Sequence, residues 1–425
     1  MIQQPTEVFS FSHIILQIIL LWWWILPPII LFPFAAQAWL WWRRELWEKK
    51  QKYVFLELIF PHGTEKPISS MEHILSTLWP VHSSIEGIRN FKKKWWIGKK
   101  LQYFTVEIVS AASRPRFFIR CNEEHRDSVV STFYSQYPTM EIIEMKESSK
   151  ENYIRYVSWN TPDHKMNMYG FDEVLKRSDA FPIKTYTQFF EMKPENTKEE
   201  KRIDPINTLL EGLNQLKDGE QIWIQMRLAP VGNDDDAYIT RGRRVINKLA
   251  NRKNKSNNIL ASALGGGPNK TRDEIIPSEM KLTPREREIL KLVEDKIGKY
   301  VFQTNIRVIY FADCRIFNPS RKALAENYFS SFSAPDMNVF GKLGKTKTKI
   351  LHFIIKRRLY IRKRKMLRRY ILRESPLYPK KGGTYVLSIE ELATIFHPPI
   401  EAQQSGTQLP HVLAKKSEAP GNLPM

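Results

Sequence analysis

The feature that most constrains this chain is residues 14–42, where 29 consecutive positions carry no charged side chain. About 20 apolar helical residues cross the hydrocarbon core of a bilayer, so the stretch is long enough to span one. Six of its residues are tryptophans, which are enriched where a span meets lipid headgroups. The sequence therefore predicts a transmembrane anchor at 14–42 behind an extracytoplasmic N-terminus at 1–13.

Basic residues follow this stretch, beginning with Arg43 and Arg44. By the positive-inside rule the N-terminus lies outside and the bulk of the chain is cytoplasmic, as in a single-pass protein of the cell inner (plasma) membrane. Prolines within 27–33 leave open a hairpin that dips into the bilayer. Residues 36–38, Ala-Gln-Ala, are typical of a signal-peptidase site, but the long apolar run and the lack of Lys or Arg before residue 14 favour a retained anchor.

The composition excludes several classes of protein. The chain has 42% hydrophobic and 12% aromatic residues. This apolar content is sufficient to form hydrophobic cores, so the chain as a whole is not disordered. Two distant cysteines, Cys121 and Cys314, make neither a disulfide framework nor a zinc site. A net charge of +21 indicates anionic partners: nucleic acid, acidic lipid or an acidic protein.

After the anchor, strand and helix patterns predict an α+β protein. The order over 53–146 is β-α-β-β-α-β, which is typical of a ferredoxin-like module. A similar order recurs over 150–341, beginning with a strand at 184–190 and interrupted by a helical insert at 231–300. We therefore expect a transmembrane helix and two ferredoxin-like (βαββαβ) modules, followed by a basic helical segment at 342–381 and, at 382–425, a short helix with an extended tail.

The basic segment 342–381 holds 16 Lys and Arg residues against a single acid, Glu374. Nucleic acid, acidic lipid of the inner leaflet and an acidic partner protein all remain open as its ligand. The residues predicted to contact an anionic partner, DNA or lipid, are Lys356, Arg357, Arg358, Arg362, Lys363, Arg364, Lys365, Arg368 and Arg369.

A second basic feature is residues 91–100, FKKKWWIGKK. Tryptophans among lysines suit a membrane interface, can stack on unpaired bases, and also occur in ordinary solvated loops. The residues predicted to lie at a membrane interface are Lys92, Lys93, Lys94, Trp95 and Trp96, with Arg43 and Arg44.

The sequence holds no recognisable catalytic motif. Gly344-Lys345-Thr346 resembles the end of a phosphate-binding loop, but that motif needs a first glycine where Val339 stands. The histidines lack metal-ligand spacing, and linear order supports no nucleophile with its base. We therefore predict a non-enzymatic protein with no catalytic residue, cofactor or metal, although an enzyme with an unrecognised site stays open.

Several stretches together resemble a known group of proteins. They are YVFLELIFPHGTEKPISSMEHILSTLW (53–79), the EIVS, RFFIRC, YSQYP and EI segments (107–142), PIKTYTQF (182–189), DPINTLLEGLNQLKDGEQIWIQM (204–226), LSIEELATIFHPP (387–399) and APGNLPM (419–425). They resemble the uncharacterised N-terminal, anchor-plus-adaptor region of proteins from candidate-phylum bacteria that are similar to type IV secretion and conjugation coupling ATPases.

In those proteins the resemblance implies that an ATPase domain follows this region. Here the chain shows no such domain, so a motor would be a separate chain. The expected function is a non-enzymatic adaptor or scaffold, anchored in the inner membrane, of a DNA-transfer or type IV secretion-like machine. Its expected partners are the inner leaflet of the membrane, a separate coupling ATPase, nucleic acid and a second copy of the chain. A lipid-binding envelope scaffold is a further alternative.

Overall fold

The computed structural model describes residues 26–60, 66–82, 90–111, 114–145, 153–156, 166–189, 204–250, 282–350 and 354–399. The chain divides into two compact units. The smaller holds residues 1–51 and 85–100, and the larger holds 52–84 and 101–425.

The larger unit is built on one antiparallel sheet, which has nine strands within the described residues. The strands are β1 (Tyr53–Ile59), β2 (Phe104–Ala111), β3 (Arg114–Asn122), β4 (Glu141–Met145), β5 (Met166–Leu175), β6 (Glu220–Val231), β7 (Val301–Asp313), β8 (Phe340–Lys342) and β9 (Tyr385–Ser388). Their order is β4-β1-β3-β2-β6-β7-β5-β8, and β9 pairs with the first residues of β7.

The prediction of two ferredoxin-like modules behind a transmembrane helix is wrong. β2 pairs with β6 from Phe104 opposite Leu228 to Val109 opposite Trp223, so both halves share one sheet. In each half the first strand along the chain lies between the fourth and the third. The expected strand at 184–190 is also wrong, because Tyr186–Phe189 is helical and the strand lies earlier, at Met166–Leu175.

Helices cover one face of the sheet. Helices α2 (Ser69–Leu78), α3 (Arg126–Gln136), α5 (Pro205–Asn214), α8 (Ala323–Ser331) and α10 (Ile389–Ile395) bury their apolar sides there; α4 is the short Tyr186–Phe189. Leu56, Ile119 and Ile224 point from the strands into this core. The helix starts follow their sequence signals: Asp204 caps α5 and Ser388 forms the capping box of α10.

The insert between β6 and β7 contains two described helices, α6 (Tyr238–Leu249) and α7 (Pro284–Gly298). Thr283 and Glu286 form the capping box that opens α7. The two helices lie close together, because a Cβ at Gly242 would stand 2.2 Å from the Ile297 side chain. Residues 251–281 of the insert lie outside the described residues.

The opposite face of the sheet carries the basic helix α9 (Ile355–Ile371) and the short helical turn Tyr153–Tyr156. Phe55, Phe118, Trp223 and Ile309 form a second core beneath them. Both faces of the sheet are therefore covered, which explains why β6 and β7 are buried along almost their whole length.

In the smaller unit, α1 (Leu26–Lys50) begins within the predicted anchor. The uncharged part of the described helix ends before Arg43. Pro33 also lies inside this helix. Among the residues that the structure describes, no helix combines the length and the apolarity needed to cross a bilayer. The predicted transmembrane helix and single-pass inner-membrane localisation are therefore contradicted; residues 1–25 lie outside the described part.

Candidate nucleic-acid interface

The basic helix α9 is fixed to the sheet by one apolar face. Met366, Leu367 and Tyr370 recur at helical spacing and are at most 2% exposed. They pack on the second core, where the Trp223 and Tyr370 ring centroids are 5.3 Å apart. The C-terminal half of α9 is therefore a core element as well as a charged surface.

Gly170 of β5 allows α9 to approach the sheet closely. A Cβ at this position would lie 3.0 Å from Cγ of Met366 and 3.3 Å from the carbonyl oxygen of Val308. Only a residue without a side chain leaves that space to methionine. Thus a single glycine sets how closely α9 can pack on the sheet.

A buried polar network holds the C-terminal end of α9. Gln225 Nε2 donates to the Tyr370 carbonyl oxygen (3.0 Å) and to Glu107 Oε1 (2.9 Å). Arg373 Nε donates to the same Glu107 oxygen at 3.2 Å. The Tyr153 hydroxyl donates to the other Glu107 oxygen and lies 3.0 Å from the Tyr370 hydroxyl. Because Glu107 is fully buried, these contacts compensate its lost hydration.

The two tyrosines stay protonated in this network. Burial, and after it the Glu107 carboxylate, raise the pKa of Tyr153 well above its ordinary value. The same two causes raise the pKa of Tyr370. Both hydroxyls therefore keep their protons and can donate as well as accept hydrogen bonds within the network.

A buried ion pair secures the residues just after α9. Arg307 Nε lies 2.8 Å from Asp172 Oδ1, and both side chains are 0% exposed. Arg307 Nη2 also donates to the Glu374 carbonyl oxygen at 3.1 Å. A pair this deeply buried is specific in geometry because an unpaired partner is strongly destabilising. Together with the Glu107 network, it attaches both α9 and its C-terminal extension to the sheet.

Six of the nine predicted contact residues of α9 are exposed: Lys356, Arg357, Arg358, Arg364, Lys365 and Arg368. The other three turn toward the protein. Lys363 Nζ contacts Asn167 Oδ1 at 2.6 Å, and Arg369 Nη2 donates to the Tyr378 carbonyl oxygen at 3.3 Å. Arg362 Nη1 donates to backbone carbonyls, with the shortest distance, 3.0 Å, to Lys347.

The charge of α9 opposes its own helical stability. Lys356, Arg357 and Arg358 stand in the first turn, where the helix dipole disfavours cations by about 0.3–1 kcal/mol each. Arg364 and Arg368 are like charges at i,i+4 spacing, which is also unfavourable. No acid lies between Asp336 and Glu374 along the sequence to balance them. An anionic partner would relieve this repulsion.

Sequence reasoning did not find the network that positions α9. The alternating patterns of β2 and β6 place Glu107 and Gln225 on the polar faces of their strands, where solvent exposure is the simple expectation. Both are buried, because α9 covers that face. The alternation of residues along a strand does not show that a helix far along the chain will cover its polar face and provide hydrogen-bond partners for Glu107 and Gln225.

The stretch 91–100 packs within the smaller unit. Lys93–Ile97 forms a short π-helical turn, and Trp39 Nε1 donates to the Trp95 carbonyl oxygen at 2.9 Å. The left-handed Gly98 lies directly against the backbone of Arg43, where a Cβ would stand 2.4 Å from the carbonyl carbon. Trp96 remains 68% exposed.

These contacts give Trp95 and Gly98 a packing role inside the unit. Of the other predicted interface residues, Lys92, Lys93 and Trp96 are exposed, whereas Lys94, Arg43 and Arg44 are half-buried. Their assignment to a membrane interface stays a prediction.

The larger part of the chain matches a known family model, described as a domain of unknown function (DUF8128), over residues 133–404. The chain belongs to this family. The matched range contains α9, Arg307 and Gln225, whereas Glu107 lies before it. A comparison with curated proteins gives no match. The expected link to secretion ATPases and the expected partners stay predictions.

Proposed function

We propose that the chain is a non-enzymatic adaptor that binds the phosphate backbone of duplex DNA through α9. The observation that carries the proposal is the set of six exposed Lys and Arg side chains on a helix whose C-terminal half packs on the sheet. Clustered cations bind DNA by releasing condensed counterions, and that attraction is independent of base sequence. The positive charge of α9 favours DNA binding, whereas it lowers the stability of the helix itself.

The exposed surface of α9 favours a duplex over a single strand. Its 17 residues span about 25 Å at about 1.5 Å per residue, comparable to about seven base pairs at about 3.4 Å each. Single-strand binders add aromatic platforms for base stacking. The exposed side of α9 offers one aromatic ring, Tyr360, which is 37% exposed, so the helix suits backbone contact.

The adaptor part of the proposal rests on the resemblance quoted from the sequence. In this proposal the DNA-binding body works in a DNA-transfer or type IV secretion-like machine, together with an ATPase on a separate chain. Affinity purification of the full chain from its native cells is expected to recover an ATPase with a phosphate-binding loop. Recovery of no such ATPase, or ATP hydrolysis by the purified chain itself, contradicts this part.

The DNA-binding part is tested by salt titration of binding to a 20-base-pair duplex. The six exposed side chains of α9 are expected to contribute about −5 to the slope of log K against log salt. The variant Arg364→Gln, Lys365→Gln, Arg368→Gln is expected to lower the magnitude of that slope by about 2.7. The control variant Arg243→Gln, Arg244→Gln, Lys248→Gln removes the same charge from the exposed side of α6.

The two triple variants distinguish DNA binding through α9 from attraction of DNA by the net charge of the protein. If both reduce the slope equally, net charge rather than α9 binds the DNA and the proposal is wrong. Flotation with vesicles containing acidic lipid is run on the same proteins. If the α9 variant loses vesicle binding and keeps the full DNA slope, the helix is a lipid-binding element instead.

A further inference from the structure

A second basic element lies beside α9 in space. We define the lysine loop as Gly344–Lys349, which follows β8. Its residues alternate: Thr346 and Thr348 are buried, whereas Lys345 and Lys349 are exposed and Lys347 is half-buried. The loop therefore turns its threonines inward and presents three ammonium groups on its outer side. The match to the end of a phosphate-binding loop lies here, without the strand–loop–helix setting of that motif.

The threonines fix the loop to the sheet. The Thr348 amide donates to the Gly170 carbonyl oxygen at 2.9 Å, and the Gly170 amide donates to Thr348 Oγ1 at 2.8 Å. The Thr346 amide donates to the Leu343 carbonyl oxygen at 3.1 Å. The same glycine that allows α9 to approach β5 thus also seats the lysine loop.

Arg362 joins the lysine loop to α9. Its Nη1 lies 3.4 Å from the Gly344 carbonyl oxygen, 3.0 Å from that of Lys347 and 3.4 Å from that of Lys349. Three carbonyls of one loop thus face a single guanidinium nitrogen from the middle of the helix. A lysine at this position would keep the charge, but its ammonium nitrogen lies one bond nearer the main chain than Nη1 and so would not reach the three carbonyls in the same way.

The positive charge of the lysine loop exceeds the negative charge of the acidic side chains around it. Burial is the first cause that lowers the pKa of Lys347, and the cations Lys342, Lys322 and Lys349 lower it further, with Glu326 opposing them. Glu326 Oε1 is already engaged by Lys342 Nζ at 2.6 Å. A bound phosphate would offset the repulsion among these lysines.

We infer that the lysine loop and α9 form one continuous surface for the phosphates of duplex DNA, and that Arg362 positions the loop instead of contacting the DNA. The inference rests on the proposed function, since it extends the binding surface from the helix to the loop. It changes the role of Arg362, a predicted contact residue, to that of a positioning residue. It adds Lys345, Lys347 and Lys349 to the residues that touch the partner.

The test compares salt slopes of duplex binding for the full chain and its variants. The loop variant Lys345→Gln, Lys347→Gln, Lys349→Gln is expected to lower the slope magnitude by up to about 2.7, as three lost contacts require. The α6 variant with the same charge change is expected to leave the slope near the wild-type value. Thermal melts confirm that each variant is folded.

Arg362→Lys separates positioning from contact because it keeps the charge. If Arg362 positions the loop, this variant lowers the slope, and adding it to the loop variant causes no further loss. A second readout is chemical acylation of lysines: DNA is expected to protect Lys345 and Lys349 in the wild type and less so in Arg362→Lys. An unchanged slope and unchanged protection in Arg362→Lys overturn the positioning role.

The outcomes distinguish the inference from the function on which it rests. If the loop variant behaves like the α6 control while the α9 variant loses slope, the inference is wrong and the proposed function stands. If neither the loop variant nor the α9 variant differs from the α6 control, the proposed function itself is wrong. Loss of slope in both supports a single surface.

Discussion

Replacing Glu173 by glutamine is expected to stabilise the protein at neutral pH. Glu173 lies on β5 between Ile306 of β7 and Lys342 of β8, and its side chain is 3% exposed. Its Oε2 has no hydrogen-bond partner among the described residues. Burial raises the pKa of Glu173 from 4.5 to about 8; Lys342 opposes the rise, and Glu326 and Asp172 add to it.

The sign and magnitude follow from proton linkage. Between pH 4.5 and 8 the unfolded chain holds this carboxyl ionised while the folded chain keeps it protonated, so stability falls as the pH rises through that window. Each pH unit corresponds to about 1.4 kcal/mol. At pH 7 the interval is two and a half pH units, and Glu173 therefore lowers the free energy of unfolding by about 3 kcal/mol.

Glutamine has nearly the same shape and cannot ionise, so Glu173→Gln removes this penalty. Urea unfolding at pH 5, 7 and 8.5 measures it against Glu141→Gln, which changes an exposed glutamate of the same sheet. The advantage of Glu173→Gln over wild type is expected to grow from under about 1 kcal/mol at pH 5 to about 3 kcal/mol at pH 7. A difference that does not change with pH refutes the reasoning, because a burial-shifted carboxyl must produce this slope.

Two substitutions test the attachment of α9 to the sheet, and a third tests backbone strain at the residue that precedes the helix. Gly170→Val should lower the free energy of unfolding by about 1–3 kcal/mol, because the new side chain displaces Met366. The control Gly298→Ala should leave the free energy of unfolding unchanged, since no atom lies within 4 Å of the new Cβ. Thermal melts measure both variants. Leu367→Ala should lower it by about 2–5 kcal/mol in urea, since the residue is 1% exposed, and a loss below about 1 kcal/mol would contradict the packing described. Ile354→Gly should raise the unfolding free energy by about 1 kcal/mol in the same assay, because a β-branched residue with a positive φ is strained. A decrease would show that no strain is stored there.

Local signals in the sequence predicted local structure well. The capping boxes at Thr283 and Ser388 and the N-cap at Asp204 can be read from the sequence and open helices in the structure, because a cap is formed by residues within one turn. The β5 strand was missed because Asp172 and Glu173 interrupt its apolar pattern, although both are buried. Residues with distant partners cannot be placed from the sequence around them.

The arrangement of the elements depends on pairings far apart in the chain. The alternation of β2 and β6 predicts two strands but not that they pair with each other, which is the contact that turns two expected modules into one sheet. The basic character of α9 is evident from the sequence, but which of its cations face the protein is not. Arg362 and Lys363 turn inward only because carbonyls of the lysine loop and Asn167 happen to lie there.

One edge of β7 has a consequence for how the protein is made. That edge is shared: β5 pairs with residues from Ile306 to Asp313, and β9 pairs with Val301 to Thr304. The stretch from Thr304 to Ser388 corresponds to about 4–17 seconds of synthesis at about 5–20 residues per second. Until β9 emerges, the start of β7 is an open strand edge that another chain can pair with. Slow elongation through this interval should therefore raise the demand for chaperones more than slow elongation elsewhere.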